Sequence, residues 1–218
     1  ERKIIDNDEF PLLQLPKDGS GNIFKECAFQ LNRKSISVHL FSAGKQYTDL
    51  STIGVPAGLT TGECKHYSIF NEHERIKMHS DIFHTLTNQY YWDSYIKLHM
   101  TSECKVAHLY SNCIIRKGGL ISFPIISQED AITIELRPTE QGIKSQNIVL
   151  QLEFVYTNNE GCGMIRIFSF EMPVSNDISK ICSSVDEAAL ATMMCKRACN
   201  FILSKGTVQA VELMKNEI

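Results

Sequence analysis

The chain has 218 residues, 43% hydrophobic and 22% charged, with a formal net charge of -3. Such a composition is that of an ordinary globular protein of one or two domains and excludes a low-complexity or disordered chain. The slight acidity gives no bulk electrostatic ground for binding nucleic acid or an anionic membrane surface, and no apolar run approaches the roughly 20 residues that a spanning helix needs.

Residues 1–21 read as a linker or loop whose Phe10, Leu12, Leu13 and Leu15 dock on a neighbour. They carry no apolar signal-peptide core, and the chain reads as a piece excised from a longer protein. From Asn22 to Arg33, Phe24, Cys27, Ala28 and Leu31 recur at helical spacing, with Asn22 as the expected N-cap. Ser35–Phe41 alternates like a strand, and Glu63–Phe70 reads as a second one. Between them lies a short helical turn followed by a loop rich in glycine and proline. Asn71–Gln89 reads as a helix with Ile76, His79, Ile82, Phe83 and Leu86 in its apolar stripe. Helix, strand, turn, strand and helix in this order predict a parallel sheet flanked by helices. Two strands are too few for such a sheet, so the missing ones are expected upstream.

From Tyr90 to Pro173 the pattern changes to short alternating runs: SYIKLHM, KVAHLY, GGLISFPII, AITIELRP, NIVLQLEFVY and MIRIFSFEM. Their period of two and the turn residues between them predict an antiparallel sandwich or barrel. TSEC is expected to close one hairpin and NNEGCG another. After Pro173 the chain becomes helical. Ser184 with Glu187 is read as a capping box, Gly206 as a C-cap, and Thr207 as the start of a further helix.

A search for chemistry returns little. Gly54, Gly58 and Gly62 lack the Gly-Lys-Ser/Thr end of a phosphate loop. The eight cysteines form no C-x-x-C pair and read as reduced thiols. Cys64, His66, His73, His79 and His84 lie near one another in sequence but not at the paired spacing of a zinc site. Cys195 and Cys199 share a helix face without further soft ligands. A metal-dependent or thiol hydrolase built on these groups is therefore the weakest reading. The basic residues of the β region carry more. Lys97 and His99 stand two apart on one strand, opposite Ile96, Leu98 and Met100, while Arg116 follows an apolar run and Arg166 sits within MIRIF. A cationic strip on the wet face of a sheet can hold peptide carboxylates.

Several phrases resemble one family in order and spacing, from about Asn22 to Ile218. They are SVHLFSAGKQYTDLSTIG, GLTTGECKHYSIF, SYIKLHMTSECKVAHLYSNCIIRKGGLISFPII and VLQLEFVYTNNEGCGMIRIFSFEMPV. The chain resembles the cargo adaptor of the COPII inner coat, the Sec twenty-four family. The second phrase departs from the family pattern at Glu63, where a glycine is usual. The resemblance implies an α+β multidomain protein: a partial von Willebrand factor A-like α/β trunk, an antiparallel β-sandwich, then an all-α segment. The expected divisions are residues 1–21 as linker, 22–89 as the C-terminal part of the trunk, 90–175 as the sandwich and 176–218 as the start of a helical domain.

The resemblance further implies a protein without catalysis that recruits transmembrane cargo and SNAREs through their cytosolic sorting motifs, for transport from endoplasmic reticulum to Golgi. It implies pairing through the trunk with a companion subunit of the Sec twenty-three type, and an indirect link to a Sar-type small GTPase. It places the protein in the cytoplasm, peripheral on the endoplasmic reticulum membrane at exit sites and on coat vesicles, with no nucleic-acid partner. No cofactor is expected in this stretch, the family's zinc finger lying upstream of it. The paralogous companion, which contacts the GTPase, is the nearest alternative. Two family arginines fall on Lys97 and His99, a third on Arg116, and an apolar pocket residue on Val155. Lys97 keeps the cation without the bidentate fork, and His99 puts an imidazole where the family has an arginine.

Overall fold

The computed structural model describes residues 20–45, 48–111 and 113–215; the expected docking of Phe10, Leu12, Leu13 and Leu15 lies outside them. The first elements are α1 (Ser20–Arg33), β1 (Leu40–Ala43), α2 (Leu50–Ile53), α3 (Val55–Leu59), β2 (Cys64–Tyr67) and α4 (Glu72–Thr87). As predicted, the two strands pair in parallel, in register from Leu40 opposite Cys64 to Ala43 opposite Tyr67. Three local expectations are corrected. Helix α1 begins at Ser20, so Asn22 lies inside it rather than capping it. The first strand starts only at Leu40, because the Val38 N–H is taken by the Thr60 hydroxyl at 2.9 Å rather than by a neighbouring strand. The loop rich in glycine and proline is mostly helical: Pro56 stands in the first turn of α3, where no N–H donor is required. Gly62 then passes so close to the Val38 carbonyl oxygen that a Cβ would collide with it.

Helix α4 shows why an apolar stripe does not always face the core. Its N-cap is Asn71, whose side chain accepts from the Glu74 N–H. The expected stripe is mostly outward: Ile76, Phe83 and Leu86 are 60%, 62% and 79% exposed. The inward face is instead fixed by polar contacts. Tyr67, only 2% exposed, donates its hydroxyl to Asp81 at 2.7 Å, and Thr85 donates to Glu63 at 3.2 Å. A buried hydroxyl without an acceptor costs more than an outward isoleucine, so the helix turns these groups inward.

Seven strands follow: β3 (Tyr90–Met100), β4 (Cys104–Tyr110), β5 (Ile114–Arg116), β6 (Leu120–Ser127), β7 (Thr133–Pro138), β8 (Asn147–Thr157) and β9 (Gly163–Pro173). One sheet has the order β5-β6-β3-β8-β9, and a second contains β4 and β7. The ladders of β3 with β6, β5 with β6 and β4 with β7 are antiparallel, as predicted. TSEC does turn the chain, through the Cys104 N–H bonding the Thr101 carbonyl at 3.2 Å. It does not make the expected hairpin, however, because β3 and β4 belong to different sheets. NNEGCG behaves as expected. Asn158 accepts from the N–H groups of Glu160 and Cys162, and Gly161 takes a φ of 78°.

Strand β6 is buried from Ile121 to Ile126, which explains its unbroken apolar run. Pro124 lies within it although proline cannot donate to a ladder. Opposite Pro124, the pairing of β3 skips Asp93, whose φ is 46°, between Trp92 paired with Ile125 and Ser94 paired with Phe123. The Ser35 hydroxyl bonds the Asp93 carboxylate, and the Thr61 hydroxyl donates to the Ile125 carbonyl at 2.6 Å. The α/β elements and this end of the sheet are thereby joined.

The tail contains α5 (Ile178–Ser183), α6 (Glu187–Lys205) and α7 (Thr207–Lys215). The capping box expected at Ser184 and Glu187 is corrected. Asp186 is the N-cap, accepting from Ala188 and Ala189, while Ser184 ends the short helix α5. Gly206 closes α6 at a φ of 84°, as expected. No helix among the described residues is long and apolar enough to cross a membrane. By packing, the described residues up to 97 with 113–130 and 153–167 form one unit, and 98–111, 131–152 and 168–215 form a second.

Candidate functional site

Strand β3 alternates as its sequence does. Lys97 and His99 are exposed, Ile96 is 6% exposed, and Leu98 and Met100 are half-buried. Its ladder with β6 pairs Tyr95 with Ser122 and Ile96 with Ile121. On the other side of β6, Ile114 pairs with Ser122 and Arg116 with Leu120. Directly opposed residues share a face of a sheet. Tyr95, Ser122 and Ile114 therefore form one row, and Ile96, Ile121 and Ile115 form the next on the opposite face; continued one residue past that last pair, the register puts Lys97 level with Leu120, the partner of Arg116. Two inter-strand spacings put the two cations' backbones about 10 Å apart.

The other candidates fall differently. His99 extends past Leu120, where β6 begins, so no residue of β6 faces it; it has an interaction of its own. Val155 is half-buried on β8, which adjoins β3 on the side away from β6. The Thr101 N–H bonds the Val149 carbonyl at 3.2 Å, joining the end of β3 to the start of β8.

Arg116 has a structural partner that its sequence did not show. Its Nη2 donates to the backbone and side-chain oxygens of Asn32 at 3.4 and 3.5 Å. Asn32, 2% exposed, lies in the last turn of α1 and donates to the Leu59 carbonyl at 3.3 Å. A cation at a helix C-terminus meets the negative end of its dipole. One nitrogen is engaged in these long bonds, and the other guanidinium donors have no partner among the described residues. Tyr95, Ile114 and Leu120 complete the face. They went unseen in the sequence because only strand register reveals them.

The remaining basic and ligating groups disperse. Arg166 lies 5.7 Å from the centre of the Tyr156 ring, in cation-π range. His66 faces the Ser42 hydroxyl at 3.3 Å, and burial pushes the Cys64 thiol above its ordinary pKa, away from the reactive thiolate. His73, His79 and His84 are exposed along α4. Among the described residues no group of three or more histidine, cysteine or carboxylate side chains could hold a metal ion. The glycines at 54, 58 and 62 belong to the α2–α3 turns rather than to a phosphate cradle.

Comparisons with known proteins cover nearly the whole chain. A family model described as the Sec23/Sec24 trunk domain matches residues 11–86, and one described as the Sec23/Sec24 beta-sandwich domain matches residues 91–175. The protein transport protein SEC24 of Dictyostelium discoideum is 23% identical over 210 residues, covering 96% of this chain and 20% of its own length. Its counterpart in Coccidioides immitis is 24% identical over 203 residues, covering 91% and 22%. SEC24 A of Arabidopsis thaliana is 21% identical over 182 residues, covering 83% and 18%. Among solved structures, the human COPII-coat protein Sec24c superposes with a TM-score of 0.86 at 18% identity, over 98% of this chain and 29% of that one. That likeness shows the fold. The chain thus spans about a fifth of the length of these curated relatives.

Proposed function

The chain belongs to the Sec23/Sec24 family, and from that premise we propose that it is the cargo-reading part of a COPII-coat adaptor. In this reading it binds sorting motifs of membrane cargo and SNAREs for transport from endoplasmic reticulum to Golgi, and it catalyses no reaction. Its trunk elements contribute to pairing with a Sec23-type companion and, through it, to contact with a Sar-type GTPase. It works in the cytoplasm, peripheral on the endoplasmic reticulum membrane. The SEC24 names of the relatives above support the adaptor over the companion subunit.

What supports the reading is the ladder that pairs Tyr95 with Ser122, Ser122 with Ile114 and Leu120 with Arg116, and whose continuation by one residue brings Lys97 level with Leu120. Two cations flank an apolar residue, above a second row with two more apolar side chains. An acidic sorting motif needs those two features: donors for its carboxylates, which Arg116 supplies in planar form, and a floor for its apolar residue. Lys97 adds a point charge, and Val155 adds apolar surface. The test is calorimetric titration of this chain with a short acidic sorting peptide. Lys97→Glu and Arg116→Ala are each expected to weaken binding about tenfold, the loss of one charge-assisted contact. Unchanged affinity in both variants would remove this site.

A further inference from the structure

The buried amide of Asn32 and the cation of Arg116 account for each other. Asn32 lies in the last turn of α1 and is 2% exposed, although an amide is costly to bury without partners. Its Nδ2 donates to the carbonyl of Leu59, the last residue of α3, at 3.3 Å. With the nitrogen committed there, Oδ1 is the atom left to face Arg116. The arginine Nη2 donates to it at 3.5 Å and to the Asn32 backbone oxygen at 3.4 Å. An aspartate here could accept from Arg116 but not donate to Leu59, and a leucine could do neither.

The end of α1 that carries this amide is itself fixed. The Ser35 N–H bonds the Asn32 carbonyl and the Ile36 N–H bonds the Leu31 carbonyl, each at 3.0 Å. Ser35 takes a φ of 54°, the left-handed conformation that commonly ends a helix. Its hydroxyl bonds the Asp93 carboxylate on β3. Strand β3 pairs with β6, and β6 pairs with β5, which carries Arg116. The acceptor and the arginine are thus tied to one sheet. Strand β5 is three residues long and lies at the edge of that sheet, where nothing in its own ladder fixes a long side chain.

From this we propose that Asn32 is a positioning residue of the cargo face: it sets the guanidinium plane of Arg116 before a carboxylate arrives. The inference rests on the reading of Arg116 as a carboxylate contact. Asn32 engages Nη2 and leaves the other guanidinium donors to a ligand, so it orients the cation without consuming it. The negative end of the α1 dipole draws the cation to the same place. A binder that meets an oriented arginine does not lose affinity by immobilising it, a saving of roughly two- to tenfold. Helix α1 thereby tunes a contact on the sandwich that it does not itself make.

The probe is a fluorescein-labelled peptide with the core Ser-Glu-Ser-Glu-Val, read by anisotropy at low salt. It is titrated against the 218-residue chain and its Asn32→Leu, Arg116→Ala and doubly substituted forms, each checked for folding by circular dichroism. Asn32→Leu is expected to weaken binding about fivefold, and to weaken it no further once Arg116→Ala is present. Equal losses in the two backgrounds would make Asn32 merely structural and overturn the proposal. The second readout is nitrogen NMR of the arginine side chains, with the Arg116 signals identified by their loss in Arg116→Ala. In the unsubstituted chain the two Nη groups of Arg116 are expected to be resolved by slow rotation about the Cζ–Nε bond. Asn32→Leu is expected to merge them, and Asn32→Asp, which keeps the acceptor, to leave them resolved. Merged signals in the unsubstituted chain overturn the proposal whether or not any variant folds. Binding that is absent, or indifferent to Arg116→Ala, removes the cargo reading and this proposal with it. Binding that needs Arg116 but ignores Asn32→Leu removes the positioning role alone.

Discussion

At the scale of single residues, Asp81 on the inward face of α4 is held by defined partners. Its Tyr67 partner and the nearby Lys65 hold the Asp81 carboxyl below its ordinary pKa, the tyrosine hydrogen bond being the largest influence, against the burial that would raise it. A carboxylate depressed in the fold stabilises it above the ordinary aspartate range, and that contribution is lost as pH falls through the folded value. Asp81→Asn is therefore expected to lower the melting temperature at pH 7 and to flatten its decline in the acid range, as thermal melts from pH 7 to pH 3 would show. A decline as steep as wild type would contradict this. Tyr67→Phe leaves Asp81 without its strongest donor and is expected to cost about 1–2 kcal/mol in urea unfolding. The departure from the family phrase at Glu63 has a local account. Its carboxylate receives Lys65 at 2.9 Å and Thr85 at 3.2 Å, and its N–H donates to His39 Nδ1 at 3.3 Å. The adjacent Gly62 admits no side chain. Gly62→Ala is expected to destabilise by more than about 1 kcal/mol, because backbone must move to admit the Cβ.

Among elements, the strands were legible and their neighbours were not. A period of two marks which side chains share a face, and it placed the exposed Lys97 and His99 opposite Ile96, Leu98 and Met100. It carries no record of which strand lies alongside, so TSEC read as a hairpin although β3 and β4 lie in different sheets. For the same reason Leu120, Ile114 and Tyr95 were missed as the floor beside Arg116. The stripe of α4 was legible in the sequence but not the side it would face, because hydrogen bonds from Tyr67 and Thr85 set the rotation of the helix. Leu86→Gln is accordingly expected to change stability by no more than about 0.5 kcal/mol, as an exposed position should. Phe123→Ala, at a residue 2% exposed in β6, is expected to cost about 3–5 kcal/mol. Chemical denaturation of the pair would show the order; a costly Leu86→Gln would mean that the stripe is covered.

For the molecule as a whole, family phrases and alternation together identified the trunk and sandwich architecture, which the two family-model matches bear out. The residues of the site stand differently. The sheet pairs Arg116 with Leu120, one residue past the last pair of β3 with β6, Ile96 with Ile121, and Arg116 also bonds Asn32. A cargo face built there makes a spatial claim, and photo-crosslinking addresses it directly. An acidic sorting peptide with a benzophenone beside its carboxylates is irradiated with the chain, and the modified residues are located by mass spectrometry. The account predicts adducts concentrated at residues 95–97, 114–116 and 120, abolished by excess unlabelled peptide. Adducts confined to the β4–β7 face, or spread without competition, would contradict it.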